Sequence, residues 1–125
     1  MSSERAKTYT PGEEVAIALE FEHEGDQEIE SVEAVFVHEG SSGEIVLLGD
    51  ARKEAPIGDR ITRYTTRLEA RINPDAAPGE YRCARLSVRN RLDDDRDFAD
   101  ITRLDLVIRV ERTPHRLEVT ASEFL

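Results

Sequence analysis

Apolar and polar residues alternate along most of the chain. The first long example has an apolar side chain at every second position, namely Val15, Ile17, Leu19 and Phe21. Successive side chains of a β-strand point to opposite faces, so this period of two predicts strands with one buried face. No stretch of helical length repeats with the period of a helix. Strands are predicted near 4–9, 14–23, 29–38, 44–48, 61–72, 80–89 and 102–111.

Turn-forming residues separate the predicted strands. Pro11-Gly12 follows the first strand, and glycines and serines occupy 40–43. A loop is predicted around Pro56 and Gly58, because proline and glycine interrupt strand pairing. Each break in the alternation therefore coincides with a local turn signal.

The predicted strand 80–89 changes phase along its length. Tyr81 and Cys83 share one phase, whereas Val88 belongs to the other. One extra residue in a strand produces this shift, so the pattern predicts a β-bulge near Ala84.

About seven short strands in a chain of 125 residues are typical of a β-sandwich. The length is that of one domain, with enough residues for a core that needs neither disulfides nor metals. We therefore expect an all-β fold, an antiparallel β-sandwich of about seven strands in two sheets. The whole chain, 1–125, is predicted to be one domain with its core at about 5–112 and a C-terminal appendix at 113–125.

Two segments carry a resemblance to a known class of domain. Pro78-Gly79 shortly before Tyr81, with Cys83 two residues later, resembles the entry to the sixth strand of immunoglobulin-like domains. There a tyrosine corner forms, which implies that the Tyr81 hydroxyl bonds to backbone within 73–79.

The opening of the chain adds to this resemblance. Residues 9–15 are similar to the start of bacterial immunoglobulin-like, macroglobulin-like and arrestin-like sandwiches. They also resemble the carbohydrate-binding sandwich appended to some polysaccharide-export transporters. The chain has no tryptophan and one cysteine, so the disulfide core of antibody domains is excluded.

The net charge of −10 argues against nucleic acid and an anionic membrane as partners, because binding to either depends on a basic surface. The charge is also segregated: residues 1–50 carry −11, 51–91 carry +5 and 92–125 carry −4. Two interpretations follow, a basic face for an anionic ligand or acidic and basic strands that lie side by side.

The second interpretation predicts specific neighbours. In an immunoglobulin-like order the strand 14–23 lies antiparallel to the strand 61–72. Glutamates of one would then face arginines of the other, with at least two ion pairs among Glu14, Glu20, Glu22, Glu24, Arg63, Arg67 and Arg71.

Cys83 cannot form an intramolecular disulfide, so a cytoplasmic location is the expectation. A single cysteine is also a candidate nucleophile, but its phase with Tyr81 on a predicted buried strand favours a small core side chain. No apolar run is long enough to cross a bilayer.

Metal and catalytic chemistry find little support in the sequence. Asp93, Asp95 and Asp97 have the spacing of the first ligands of a calcium loop, but the glycine and the terminal glutamate of that motif are missing. A looser calcium site and a solvated acidic loop remain the alternatives. No serine, histidine and acid are predicted to meet, so we expect no enzyme and no cofactor.

An apolar strip is expected on the outer face of the predicted sheet. It consists of Val35, Val37, Ala84 and Val107, and it predicts either an interface or a surface covered by the appendix. The first functional hypothesis is a non-catalytic protein-interaction or assembly module that binds a protein partner or itself. The second is a ligand-binding module for carbohydrate or another polar small molecule, although exposed aromatic rings for stacking on a sugar are scarce.

Overall fold

The computed structural model of the chain describes residues 5–25, 28–58, 60–90, 96–101, 104–112 and 119–124. These residues form an all-β fold, as predicted, and no helix occurs among them. The eight strands are β1 (Arg5–Tyr9), β2 (Glu14–Glu24), β3 (Ile29–His38), β4 (Glu44–Gly58), β5 (Ile61–Arg71), β6 (Gly79–Asn90), β7 (Arg96–Phe98) and β8 (Leu106–Val110).

The strands form one continuous, nearly closed sheet. Its order is β1-β8-β6-β3-β4-β5-β2, and β7 pairs with β6 beside this path. All pairs are antiparallel except β1 with β8, which run parallel. The two separate sheets that we predicted are not observed, because hydrogen bonds between strands join the two halves into one barrel-like sheet.

Strand β4 makes this connection. It is 15 residues long, pairs with β3 as far as Asp50 and pairs with β5 from Leu48 onward. The predicted end at residue 48 and the loop around Pro56 were wrong. Beyond Asp50 the strand pairs with β5 alone, and proline is tolerated on such an edge because its missing N–H interrupts no second ladder.

The two ends of the sheet are also brought together. Between β1 and β2, the turn Thr10-Pro11-Gly12-Glu13 has Gly12 at a φ of 89°, which the third position of a type II turn requires. The Gly12 N–H donates to the Ile72 carbonyl at 2.9 Å, which attaches the turn to the chain after β5. At the far end of β2, His23 Nε2 lies 2.8 Å from Asp97 Oδ2 on β7.

Strands β2 and β5 are antiparallel neighbours, which confirms the predicted pairing. Their register places Glu14 opposite Arg71 and Glu22 opposite Arg63. In the described residues one ion pair of the predicted set crosses between the strands, Glu20 to Arg63 at 3.1 Å.

The expectation of at least two such pairs was therefore too high, because the other two arginines have nearer partners. Arg67 pairs with Glu69 on its own strand at 2.5 Å, and Arg71 Nε donates to the Gly12 carbonyl at 3.0 Å. The contact between Arg63 Nε and Glu20 is an ion pair without a hydrogen bond, because the Nε–H is poorly aligned with the carboxylate and has no other hydrogen-bond partner.

The core lies on the concave side of the curled sheet. Its largest fully buried side chains are Tyr81, Phe36, Leu47, Leu68, Ile72, Val15, Val32 and Val110. The bulge predicted in β6 is present: Val35 pairs with Arg85 and Phe36 with Cys83, which leaves Ala84 as the extra residue.

The C-terminal part of the chain differs from expectation in two ways. Strand β8 is shorter than the predicted strand 102–111, and the short β7 lies inside the segment predicted to be a loop. Residues 119–124 are exposed and belong to no strand. The described residues include no helix of the length and apolar character that crossing a bilayer requires.

Candidate functional site

The outer face of β3 and β4, on the side away from the core, carries the most distinctive surface. Register places Val35 opposite Val46, and Glu33 opposite Leu48. Ile45 and Leu47 point into the core between these positions and are buried, so Val46 and Leu48 must point outward. Val46 is 41% exposed and Leu48 57% exposed.

The predicted strip is not an exposed surface. Val35 and Val107 are only 4% and 3% exposed, Val37 is half-buried and Ala84 is exposed at the bulge. Val35 lies on the central strand β3, paired with Val46 on one side and with Arg85 on the other. The appendix does not cover it within residues 119–124, which are themselves exposed.

The outer face instead presents Val37, Val46 and Leu48, which we call the apolar patch. The sequence of β4 indicates this patch, although we did not predict it. Ile45-Val46-Leu47-Leu48 is apolar in both phases, so a strand there has to expose two of its apolar side chains.

A network of ion pairs flanks the apolar patch near β8. Arg82 pairs with Glu39 and, at 3.4 Å, with Glu80. Arg109 contacts the other oxygen of Glu80 at 3.0 Å. The surface beside the patch therefore carries both signs of charge.

An open groove of about 1120 Å³ adjoins the patch on the same face. Four strands each contribute one arginine to it: Arg52 from β4, Arg67 from β5, Arg89 from β6 and Arg96 from β7. Three acids also line it, Glu33, Asp50 and Glu69, and the remaining lining residues are Ser31, Leu48, Gly49, Ala51, Thr65, Thr66 and Ser87.

The acids of the groove hold two of these arginines in place. Glu33, whose side chain is 22% exposed, lies 3.4 Å from Arg96 and 3.9 Å from Arg85. Glu69 holds Arg67 at 2.5 Å. The guanidinium groups are thus positioned by partners on their own sheet and still have N–H donors to spare.

The close approach of β4 to β5 shapes the floor of the groove. The Thr66 hydroxyl donates to the Asp50 carbonyl at 2.9 Å. A Cβ atom at Gly49 would collide with the Arg67 carbonyl oxygen, so only glycine fits where β4 passes from one neighbour to the other.

Of the predicted calcium ligands, the structure describes Asp97, which is not among the residues that line the groove. Asp97 contacts His23, while Asp93 and Asp95 fall outside the described residues. Within the described ranges no group of three or more histidine, cysteine or acidic residues is arranged to hold a metal ion.

Tyr81 and Cys83 occupy structural positions on β6. The Tyr81 hydroxyl donates to the Ala77 carbonyl at 2.7 Å, inside the segment 73–79 where the resemblance places it. Burial raises the pKa of the Tyr81 hydroxyl and of the Cys83 thiol. A thiol with a raised pKa is protonated at neutral pH and is a poor nucleophile.

No protein-family model, curated protein or solved structure matches this chain.

Proposed function

We propose that the protein is a non-catalytic protein-interaction or assembly module that associates with itself through the apolar patch. The observation that carries this proposal is the exposure of Val46 and Leu48 on β4, beside the buried Val35 of β3. Neighbouring exposed apolar side chains with polar surroundings are characteristic of protein interfaces.

The charges around the patch support a second copy as the partner. A two-fold interface brings the same surface of two subunits together, so each charge must find an opposite charge on that same surface. Glu44 stands opposite Val37 at one side of the patch, and Arg85 stands opposite Val35 at the other. The face is therefore able to complement itself.

His23, His38 and Cys83 support a role without catalysis. His38 Nε2 lies 2.9 Å from the Pro78 carbonyl oxygen, and its Nδ1 accepts a hydrogen bond from the Gly40 N–H at 3.0 Å. His23 contacts Asp97, and the Cys83 thiol has a raised pKa because it is buried. Among the described residues these groups serve the fold, which leaves none of them as an evident base or nucleophile.

We also propose that the sheet is an immunoglobulin-like sandwich whose two layers are joined by β4. The order β1-β8-β6-β3 followed by the first half of β4 would be one layer. The second half of β4 with β5 and β2 would be the other. The Tyr81 hydrogen bond to Ala77 supports this proposal, because the same bond forms the tyrosine corner of that fold.

Sedimentation equilibrium tests the proposed self-association. The wild-type protein should populate a species heavier than the 14.1 kDa chain as concentration rises. Val46→Asp should remain a monomer, because a charge buried without a partner in an apolar interface is strongly disfavoured. Val119→Asp is the matched control: it makes the same change at an exposed position outside the sheet and should associate like the wild type.

Either of two results would overturn the proposal. One is a wild-type protein that stays at the mass of one chain at every concentration. The other is association that Val46→Asp leaves unchanged.

A further inference from the structure

The groove beside the apolar patch has a chemistry that self-association does not use. Among the described residues four arginines and three acids line it, whereas acids outnumber bases 27 to 17 in the whole chain. The four arginines come from four different strands, so they surround the groove rather than forming one row. The groove is thus a local concentration of cations on an acidic protein.

The kind of cation is informative. All four are arginines, and no lysine is among the described residues that line the groove. The planar guanidinium group donates two parallel hydrogen bonds to a carboxylate, a geometry that the lysine ammonium group does not offer. Arg67 and Arg96 each contact one carboxylate oxygen, of Glu69 and Glu33, while Arg52 is exposed and has no ion-pair partner among the described residues.

The rest of the lining favours a polypeptide over a sugar. The described lining of the groove includes no aromatic ring and so lacks the stacking platform typical of carbohydrate sites. Ser31, Gly49, Ala51 and Ser87 are small and allow a ligand to approach the sheet closely. Leu48 borders both the groove and the apolar patch, and it provides a contact for an apolar side chain.

We propose that the groove binds an extended acidic segment of a partner polypeptide, whose carboxylates are held by Arg52, Arg67, Arg89 and Arg96. This inference goes beyond the proposed self-association and rests on different residues. Long-range electrostatics oppose it, because a chain with a net charge of −10 repels an anionic peptide. Binding therefore has to come from contacts inside the groove.

Fluorescence anisotropy with a labelled hexaglutamate peptide tests the proposal, with hexaglutamine as the uncharged probe. Hexaglutamate should bind more tightly, and added salt should weaken its binding. Arg52→Gln should weaken hexaglutamate binding about tenfold, the loss expected for one charge-assisted contact. Arg112→Gln removes an exposed arginine outside the groove and should bind like the wild type.

Three outcomes would overturn the proposal. Hexaglutamate that binds no better than hexaglutamine excludes carboxylate recognition. An equal loss in Arg112→Gln and Arg52→Gln shows that binding follows overall charge. Displacement of the peptide by a much lower concentration of a galacturonic acid oligosaccharide assigns the groove to acidic sugars instead. The Val46→Asp variant keeps every arginine of the groove, so it should bind hexaglutamate even though it no longer self-associates. Its binding therefore tests this inference independently of the proposed self-association.

Discussion

At the scale of single residues, the buried tyrosines show how polar atoms are satisfied inside this sheet. The Tyr81 hydroxyl donates to Ala77, and the Tyr64 hydroxyl accepts a hydrogen bond from the Ile29 N–H at 3.3 Å. The first bond was predictable, because its two partners are four residues apart and follow a recognisable turn. The second joins residues 35 positions apart and depends on how the sheet curls, which no local pattern encodes.

Tyr81→Phe should lower the free energy of unfolding by about 1–2 kcal/mol, because the Ala77 carbonyl loses its partner in a buried setting. Denaturant titration measures this loss. Tyr9→Phe is the matched control: Tyr9 is also buried, but its hydroxyl has no hydrogen-bond partner among the described residues. Equal midpoints for wild type and Tyr81→Phe would contradict the structural role given to this hydroxyl.

Glu13 makes the stability of the β1–β2 turn depend on pH. Its carboxylate accepts hydrogen bonds from the Thr10 hydroxyl at 2.6 Å and from the Thr10 N–H at 2.9 Å. These bonds, the one from the hydroxyl first, lower the pKa of Glu13. A lowered pKa in the folded state stabilises the protein above the unfolded carboxylate pKa and loses this effect as pH falls through the folded value.

Comparison with Glu13→Gln should reveal this dependence. Glutamine keeps the acceptor oxygen and removes the titration, so the stability advantage of the wild type should be present at neutral pH and shrink in acid. Unfolding curves across the acidic range measure the difference. An advantage that stays constant down to the lowest pH would show that the carboxylate charge plays no part.

At the scale of strands, the alternation predicted some elements well and others poorly. The bounds of β3 agree with the predicted 29–38. The side chains of this segment that point into the core are apolar, and turn-forming residues flank it in the sequence. The predicted β4 was far too short, since Pro56 and Gly58 were interpreted as a loop. Proline and glycine do not break a strand that pairs on one side only. The sequence does not show on how many sides a strand pairs, because that depends on the folded sheet.

The close passage of β4 over β5 gives a sharp test of this element. Gly49→Ala should lower the free energy of unfolding by about 2 kcal/mol or more, because the added methyl group collides with the backbone of Arg67. Gly58→Ala is the control at the other end of the same strand, where a Cβ meets only ordinary contacts at 3.6 and 3.8 Å. Similar unfolding midpoints for the two variants would rule out the tight crossing.

The segregated charges lie in two different surroundings. The acidic β2 and the more basic β5 are neighbours, as the sequence indicated, and Glu20 pairs with Arg63. Arg67, which was expected to face a glutamate of β2, lines the groove instead. Arginines of β5 contribute both to the ion pair with β2 and to the lining of the groove. Composition alone therefore does not distinguish a basic face from acidic and basic strands that lie side by side.

At the scale of the whole molecule, the sheet curls until its first and last strands approach each other. The turn at Thr10–Glu13 and the contact between His23 and Asp97 hold the two ends of β2. The groove was beyond prediction for the same reason, because its arginines are spread over residues 52–96 and meet only when four strands are in register. The apolar patch was easier to predict, since residues 45–48 of β4 are apolar in both phases.

We propose that the outer face of β3 and the first half of β4 is the surface through which the protein associates with a second copy. Backbone amide chemical shifts, recorded by NMR over a wide dilution series, test it most directly. The shifts should move with concentration in residues 29–38 and 44–50 and stay constant in β2 and β5. Shifts that never change, or that change along β2 and not along β3 and β4, would contradict the claim.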